Sequence, residues 1–206
     1  MIELEQRNNV WIATIARPDK ANALTKGMLA ELATIARRAS AEGAGALILT
    51  GAGKVFCSGA DLDEARAGLA TDGVWEDLSG AIAAAPMLTI AALNGTLAGG
   101  ACGMVLACDL RISVPTAKVF YPVMKLGFLP QPSDPGRLVR LVGPARAKMI
   151  LMAGARIEAT EALSWGLLDR LVDPDALIDT AIALAADPCA ARPGLAQAIK
   201  RMIDEA

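Results

Sequence analysis

A glycine-rich segment, LNGTLAGGACGMVLACDL, runs from Leu93 to Leu110 and contains residues suited to chemistry. It overlaps Leu78–Cys108, a stretch of 31 residues without a charged side chain. An apolar run, an Asn94/Gly95 turn and a glycine pair precede a second apolar run, which predicts a strand, a loop and a helix. A helix N-terminus in apolar surroundings attracts negative charge, so the loop is suited to an anion. The alternative is a buried turn whose glycines only permit close packing.

A second glycine loop, TGAGKVFCSGAD, follows a predicted buried strand at Ala46–Thr50 and ends at Asp61, a good N-cap for the next helix. The chain therefore has two units in which a strand, a glycine loop and a helix follow one another. This order predicts an α/β fold.

The composition excludes several kinds of site. The chain has no histidine, which rules out histidine general bases and Ser/His/Asp triads, and a zinc site would need an unusual ligand set. The four cysteines form no CxxC pair, and three lie in apolar contexts typical of buried, reduced thiols. We therefore predict no metal site.

Charge and hydropathy argue against two classes of partner, nucleic acids and membranes. The net charge of −2 and the absence of a basic cluster with interleaved aromatics argue against nucleic acid. Glycines, a proline and an asparagine interrupt the uncharged run too heavily for a membrane span. The start, MIELEQRNNV, lacks the features of a secretory signal, so we expect a cytoplasmic protein.

The length fits a single domain, 1–206, with a core at 1–133 and a mostly helical region at 134–206. A hairpin is predicted from Ile2–Gln6 and Val10–Ile15, and a helix capped by Thr25 is predicted to end near Glu42 and Gly43. The elements predicted after Asp134 are helices at Arg137–Val142, Ala145–Ala153 and Thr160–Trp165, a strand at Leu168–Val172, a helix after Asp173 and Pro174, and a helix at Ala190–Ala206.

Four segments, in order along most of the chain, carry a family resemblance: RPDKANAL (17–24), LTGAGKVFCSGADL (49–62), LNGTLAGGACGMVLACDLRI (93–112) and LVRLVGPARAKMILMAGARIEATEALSWGLLDRLV (138–172). Together they resemble the enoyl-CoA hydratase/isomerase family, or crotonase superfamily. The resemblance implies a crotonase-like spiral of repeated ββα units at 1–133 with a helical C-terminal region. It also implies an acyl-CoA substrate, with coenzyme A arriving as part of that substrate and no separate cofactor.

By the same resemblance, the backbone amides of Ala60 and Gly100 form an oxyanion hole for the thioester carbonyl. Loss of one such donor typically costs about 2.7–4 kcal/mol of transition-state stabilisation. The positions that correspond to the family's contacts with coenzyme A and the thioester are Lys20, Ala21, Ser58, Asp61, Leu62 and Gly99. Lys20 could also be a solvated surface lysine and Asp61 a helix cap, and either role is compatible with binding.

The chain departs from the family pattern at the two glutamates that activate water in hydratases. Gly103 stands at the first position and Val123 at the second. Neither side chain can transfer a proton, so standard hydration and glutamate-dependent isomerisation are disfavoured.

Other groups could replace them. Asp134, in LPQPSDPGRL, and Tyr121, the only tyrosine, are the acid/base candidates. A turn or cap role for Asp134 and a half-buried packing role for Tyr121 remain open. Four further polar residues are predicted to be structural, Asp63 and Glu64 as a solvated helix face, and Cys57 and Cys102 as small buried packing groups.

The leading hypothesis is an acyl-CoA enzyme that stabilises a thioester enolate and performs decarboxylation, isomerisation or hydrolysis. The alternative is a catalytically inactive homologue that binds coenzyme A or acts as a scaffold. The resemblance also implies a homo-oligomer, usually a trimer. Family members usually continue past a segment like IKRMIDEA, so the chain is expected to be shortened at its C-terminus, which weakens the expectation of a trimer.

Overall fold

This computed structural model describes residues 1–205. The strands of this range form two separate β-sheets. The strands are β1 (Ile2–Arg7), β2 (Val10–Ile15), β3 (Ala46–Gly51), β4 (Val55–Cys57), β5 (Leu88–Leu93), β6 (Thr96–Ala98), β7 (Leu110–Ser113), β8 (Lys118–Phe120), β9 (Ile157–Glu158) and β10 (Arg170–Leu171). The helices are α1 (Lys26–Ala41), α2 (Leu62–Arg66), α3 (Val74–Ala83), α4 (Cys102–Leu106), α5 (Val123–Leu126), α6 (Asp134–Leu151), α7 (Ala159–Trp165), α8 (Leu177–Leu184), α9 (Ala186–Ala190) and α10 (Leu195–Asp204).

The connectivity is a spiral in which two strands and a helix repeat. The larger sheet has the order β1-β2-β3-β5-β7-β10, and the smaller has the order β4-β6-β8-β9. From β3 to β8, each strand of the larger sheet is followed by one of the smaller sheet, and neighbours within each of these series are parallel. The predicted α/β class with repeated ββα units is confirmed.

Local sequence signals place the first elements correctly. Asn8, with φ 54°, makes the turn between β1 and β2, which pair antiparallel. Thr25 caps α1 by accepting a hydrogen bond from the Met28 amide at 3.2 Å. The helix then buries an apolar stripe of Met28, Leu29, Leu32, Ala33, Ile35, Ala36 and Ala39. That stripe is what holds α1 in the hydrophobic core.

A buried asparagine organises the loop that leads to the site. Asn22 is fully buried, and its backbone lies in the left-handed region with a φ of 55°. Its Oδ1 accepts a hydrogen bond from the Arg17 amide at 2.9 Å, and its Nδ2 donates to the carbonyl oxygens of Ala52 and Val55. The side chain therefore joins the 17–24 segment to the turn between β3 and β4.

The C-terminal region differs from the sequence prediction in detail. The two helices predicted at Arg137–Val142 and Ala145–Ala153 are halves of α6, separated by Gly143 at φ 77° and ψ 166°. The strand predicted at Leu168–Val172 is only two residues, β10, and β9 was not predicted because its pairing with β8 is long-range. The helix predicted at Ala190–Ala206 corresponds to the shorter α10, and Ala206 lies outside the described residues. No helix within residues 1–205 combines the length and apolar character that crossing a bilayer requires.

Replacing Asn22 with alanine should lower the free energy of unfolding by about 2–4 kcal/mol, because one amide and two carbonyls lose their buried partner. Urea denaturation measures the change. Gln197→Ala removes an exposed amide side chain in α10 and should change stability by less than about 0.5 kcal/mol. Equal effects of the two substitutions would contradict the role given to Asn22.

Candidate functional site

The amide of Ala60 faces away from the segment that supports it. The Leu24 amide donates to the Gly59 carbonyl at 2.8 Å, and the Asp61 amide donates to the Leu24 carbonyl at 2.8 Å. Because alternate residues of an extended segment direct their polar groups to opposite sides, this pairing turns the Ala60 amide outward. Within residues 1–205, that amide has no hydrogen-bond acceptor.

Gly100 presents a second free amide. After β6 ends at Ala98, Gly99 takes a left-handed φ of 63° and begins the 3-10 turn Gly99–Ala101, which continues into α4. The first amides of a helix have no partner inside it. Among the described residues, the Gly100 amide likewise has no acceptor.

The two glycine loops touch each other. They follow the neighbouring parallel strands β4 and β6. A β-carbon placed on Gly59 would lie 3.2 Å from the Ala98 carbonyl oxygen and 3.6 Å from the Gly99 Cα. The amides of Ala60 and Gly100 each follow one of these contacting glycines, so two unpaired donors lie on adjoining loops.

The residues expected to contact coenzyme A form a rim beside Ala60. Lys20, Ser58 and Leu62 are exposed, Leu62 to 73%. The Ser58 amide donates to the carbonyl of Ala21, which joins the 17–24 segment to the second glycine loop.

Asp61 has the cap role that the sequence predicted and a second partner that it did not. Its Oδ1 accepts from the Asp63 and Glu64 amides, and Arg17 Nη1 lies 2.8 Å from its Oδ2. The hydrogen bond from Arg17 lowers the pKa of Asp61 below its ordinary value. Arg17 opens the RPDKANAL motif, and that position was the available signal for its role.

Asp134 and Tyr121 meet in the interior. Tyr121 Oη donates to Asp134 Oδ2 at 2.9 Å, and both residues are at least 97% buried. The cap alternative for Asp134 is wrong, because it is the first residue of α6 and its side chain bonds no helix amide. The half-buried alternative for Tyr121 is also wrong, since its exposure is 3%.

The Asp134 carboxyl fills space that a side chain at position 103 would need. A β-carbon placed on Gly103 would lie 2.8 Å from Asp134 Oδ1 and 3.1 Å from Oδ2. A carboxyl group carried by α6 therefore lies against the α4 position where the resemblance places the first glutamate. Val123, at the second position, is buried at the start of α5 and offers no polar group.

Burial governs the protonation of this pair. Desolvation raises the pKa of Asp134 to about 6, against the opposing hydrogen bond from Tyr121 and the charge of Arg137. Desolvation, with the nearby Asp134 charge, also raises the pKa of Tyr121. Asp134 Oδ1 and Arg137 Nη1 are buried 3.9 Å apart, and neither has a hydrogen-bond partner among the described residues. Oδ1 is thus a carboxyl oxygen with unused hydrogen-bonding capacity.

Two residues that the sequence did not single out complete the surroundings. Trp75 packs its ring against Gly100, and Glu76 accepts hydrogen bonds from the amide and hydroxyl of Ser133, just before Asp134. Trp75 is one of three tryptophans and lies just before the uncharged stretch, but no local pattern signals either contact.

The remaining polar candidates are structural. Cys57 and Cys102 are buried, and desolvation raises the pKa of Cys57 to about 12, which disfavours a thiolate nucleophile. Asp63 is exposed and pairs with Arg66, as predicted for a solvated face. Glu64 differs, because it is half-buried and accepts a hydrogen bond from the Lys26 amide at 2.6 Å.

A large groove lies elsewhere on the molecule. Its volume is about 1120 Å³, and none of the candidate residues lines it. Its walls come from α6, the start of β7 and α10, and include Leu110, Arg140, Leu141, Ile199, Lys200 and Ile203. A small apolar cavity of about 20 Å³ lies behind Tyr121 and Cys102. In the described part of the chain, no group of three or more acidic or cysteine side chains is placed to hold a metal ion.

Comparison with known proteins decides the ancestry. The family model described as Enoyl-CoA hydratase/isomerase matches residues 5–206. The chain belongs to the enoyl-CoA hydratase/isomerase family. It is 38% identical over 180 residues to a probable enoyl-CoA hydratase of Mycobacterium leprae, covering 85% of this chain and 70% of that protein. It is 35% identical over 193 residues to the short-chain-enoyl-CoA hydratase of Clostridium acetobutylicum, covering 88% and 72%.

Solved structures agree on the fold. The enoyl-CoA hydratase of Bacillus anthracis superposes with a TM-score of 0.91 at 32% identity, covering 98% of this chain and 82% of that one. An enoyl-CoA hydratase/isomerase of Pseudoalteromonas atlantica superposes with a TM-score of 0.92 at 28% identity, covering 99% and 82%. The crotonase-like fold expected for this family member is therefore confirmed.

Adding a methyl group at Gly103 should push α4 away from the Asp134 carboxyl on α6. Gly103→Ala is expected to lower the free energy of unfolding by about 1–3 kcal/mol, because the new β-carbon meets the Asp134 carboxyl. The double variant Gly103→Ala/Asp134→Ala should lose less than the sum of its single variants, by at least about 0.5 kcal/mol. Gly80→Ala, in an open position of α3, should instead gain up to about 1 kcal/mol. Additive effects at 103 and 134 in urea titrations would disprove the contact.

The raised pKa of Asp134 predicts a pH dependence of folding. The folded chain binds this proton more tightly than the unfolded chain, whose carboxyl titrates near its ordinary 3.8. Its stabilising contribution is therefore complete below about pH 4 and is lost as pH rises through about 6. Relative to wild type, Asp134→Asn should gain about 2–3 kcal/mol between pH 4 and pH 7, measured by urea unfolding across that range. Asp175→Asn removes an exposed carboxyl and should track wild type, and an Asp134→Asn curve that did the same would refute the shift.

Proposed function

We propose that this family member binds an acyl-CoA thioester and transfers a proton at the carbon next to the thioester carbonyl. One observation carries the proposal: an unpartnered, buried oxygen of Asp134 lies against Gly103, one helical turn beyond the free Gly100 amide. The proposed oxyanion donor at Gly100 and the proposed proton-transfer group at Asp134 thereby lie along one continuous stretch, the 3-10 turn Gly99–Ala101 and the α4 that follows it.

The free amides of Ala60 and Gly100 would hold the thioester oxygen. As negative charge develops on that oxygen, two donors already oriented by the backbone stabilise it without reorganisation. Gly100 also stands at the positive end of the helix that begins at Gly99. Coenzyme A would lie along the exposed rim of Lys20, Ser58 and Leu62.

In the proton step, the ionised Asp134 carboxylate takes a proton from the α-carbon. The C–H electron pair becomes the enolate double bond, and the carbonyl π electrons move to the oxygen held by the two amides. Return of the proton reverses these movements. A pKa of about 6 suits the group to both directions near neutral pH, and Tyr121 orients it by donating to Oδ2.

This chemistry differs from standard hydration, for which Gly103 and Val123 supply no glutamate. Isomerisation uses the enolate directly. Decarboxylation generates the same enolate by loss of carbon dioxide and needs Asp134 in its protonated form. Hydrolysis would instead place a tetrahedral oxyanion at the two amides. The relatives named as enoyl-CoA hydratases support the acyl-CoA substrate rather than a choice among these reactions.

The second candidate function is binding of coenzyme A thioesters without catalysis. It is favoured by the same two replaced glutamate positions and by the 1% exposure of Asp134, which separates the carboxyl from solvent. Both candidates use the free amides, so only turnover distinguishes them.

Self-association and a cytoplasmic location stay predictions. The first is supported by exposed apolar residues on α5 and the following loop, where Met124, Leu126 and Leu129 are 63%, 59% and 87% exposed. Apolar surface of this kind favours contact with another chain.

Exchange of the α-protons of butyryl-CoA in D₂O measures the proton step directly, whichever product the enolate gives. Mass spectrometry should detect deuterium uptake with the wild type. Asp134→Asn should lower the exchange rate by about 10²–10⁴-fold while retaining binding, and Tyr121→Phe should lower it less.

Asp175→Asn serves as the control and should exchange at the wild-type rate. Calorimetric binding without exchange would select the catalytically inactive candidate. Undetectable binding at millimolar acyl-CoA would refute both candidates.

A further inference from the structure

Trp75 packs against Gly100, the residue whose amide is free. Three atoms of its ring, Cδ2, Cε2 and Cε3, each lie 3.3 Å from the point that a β-carbon on Gly100 would occupy. The side chain is 4% exposed. The indole therefore lies in close contact with the backbone that would bind the thioester oxygen.

The indole is held by its own hydrogen bond and by hydrogen bonds of the residues around it. Trp75 Nε1 donates to the Leu69 carbonyl at 2.8 Å, and Leu69 is itself buried in the 3-10 turn Leu69–Thr71. The next residue, Glu76, accepts a hydrogen bond from the Ser133 amide at 3.0 Å. Gln131 Nε2 donates a hydrogen bond to the Ala70 carbonyl at 3.3 Å. These bonds tie the indole and its support to the start of α6, so the ring cannot swing aside without breaking them.

The direction of the acyl chain follows from the two ends of the site. The exposed rim of Lys20, Ser58 and Leu62 takes the coenzyme A side of the thioester, so the acyl group must point inward. On that side, one face of the helix start is covered at Gly100 by Trp75 and at Gly103 by the Asp134 carboxyl. The indole at Gly100 therefore lies on the side toward which a straight acyl chain would extend from the carbonyl.

We infer that Trp75 is the specificity-determining residue that restricts the substrate to short acyl groups, of about two to four carbons. This inference rests on the proposed function, because it assumes that the Ala60 and Gly100 amides hold the thioester. Truncating the indole would open the space beyond the α-carbon. Each methylene that becomes buried there should then improve binding about fourfold.

The test compares acetyl-, butyryl-, hexanoyl- and octanoyl-CoA by isothermal titration calorimetry. The wild type should bind butyryl-CoA at least tenfold more tightly than octanoyl-CoA. Trp75→Ala should reverse this order, with octanoyl-CoA gaining at least tenfold, and Trp75→Phe should fall between them. Trp165→Ala, which removes a half-buried indole from α7, should keep the wild-type order.

The outcomes separate the two ideas. Equal or tighter binding of octanoyl-CoA by the wild type would overturn the chain-length limit while leaving the proposed function intact, and it needs no variant to fold. An unchanged order in a folded Trp75→Ala would remove the role of Trp75. Absence of binding for every acyl-CoA would overturn both the inference and the function on which it rests.

Discussion

The contact between the backbones at Gly59 and Gly99 is the constraint around which the site is arranged. Two parallel strands, β4 and β6, end side by side, and each continues through a glycine with positive φ. A side chain at Gly59 would press on the Ala98 carbonyl, so the loops could not approach as they do. The pairing of Leu24 with the first loop and the packing of Trp75 on the second then hold the two free amides in fixed directions.

The position of the Asp134 carboxyl depends on two helices, because it occupies space that a side chain on the other helix would need. Glycine at 103 removes a side chain from α4, and Asp134 on α6 places a carboxyl group in the vacated volume. The cost of burying a carboxyl is visible in its raised pKa, and the bond from Tyr121 offsets part of that cost. The position of the Asp134 carboxyl is thus set by α4 and α6 jointly rather than by a single motif.

The sequence was sufficient for features that depend on neighbouring residues. The Asn8 turn, the Thr25 cap, the Asp61 cap and the apolar stripe of α1 all follow from local preferences, and the structure contains each of them. The family motifs also led to Ala60 and Gly100, whose amides are free.

Contacts between distant segments could not be predicted in the same way. Trp75 meets Gly100, and Gly103 meets Asp134, across intervals for which no periodicity exists. The short strand β9, which the sequence analysis does not predict, exists because its partner β8 completes its hydrogen bonds. Its formation is decided by the tertiary fold, which a local pattern does not contain.

The break at Gly143 divides α6 into a front half that carries Asp134 and Arg137 and a rear half that buries Ala147 and Ile150. The front half and the loop before it span 127–142, from the end of α5 to the left-handed Gly143. Evolution, or a protein engineer building a chimera, could exchange that segment and leave both amide-bearing loops in place, provided that Gln131 and Ser133 keep their bonds to the support of Trp75. The same scaffold would then acquire new acid–base chemistry through a graft of 16 residues, 127–142.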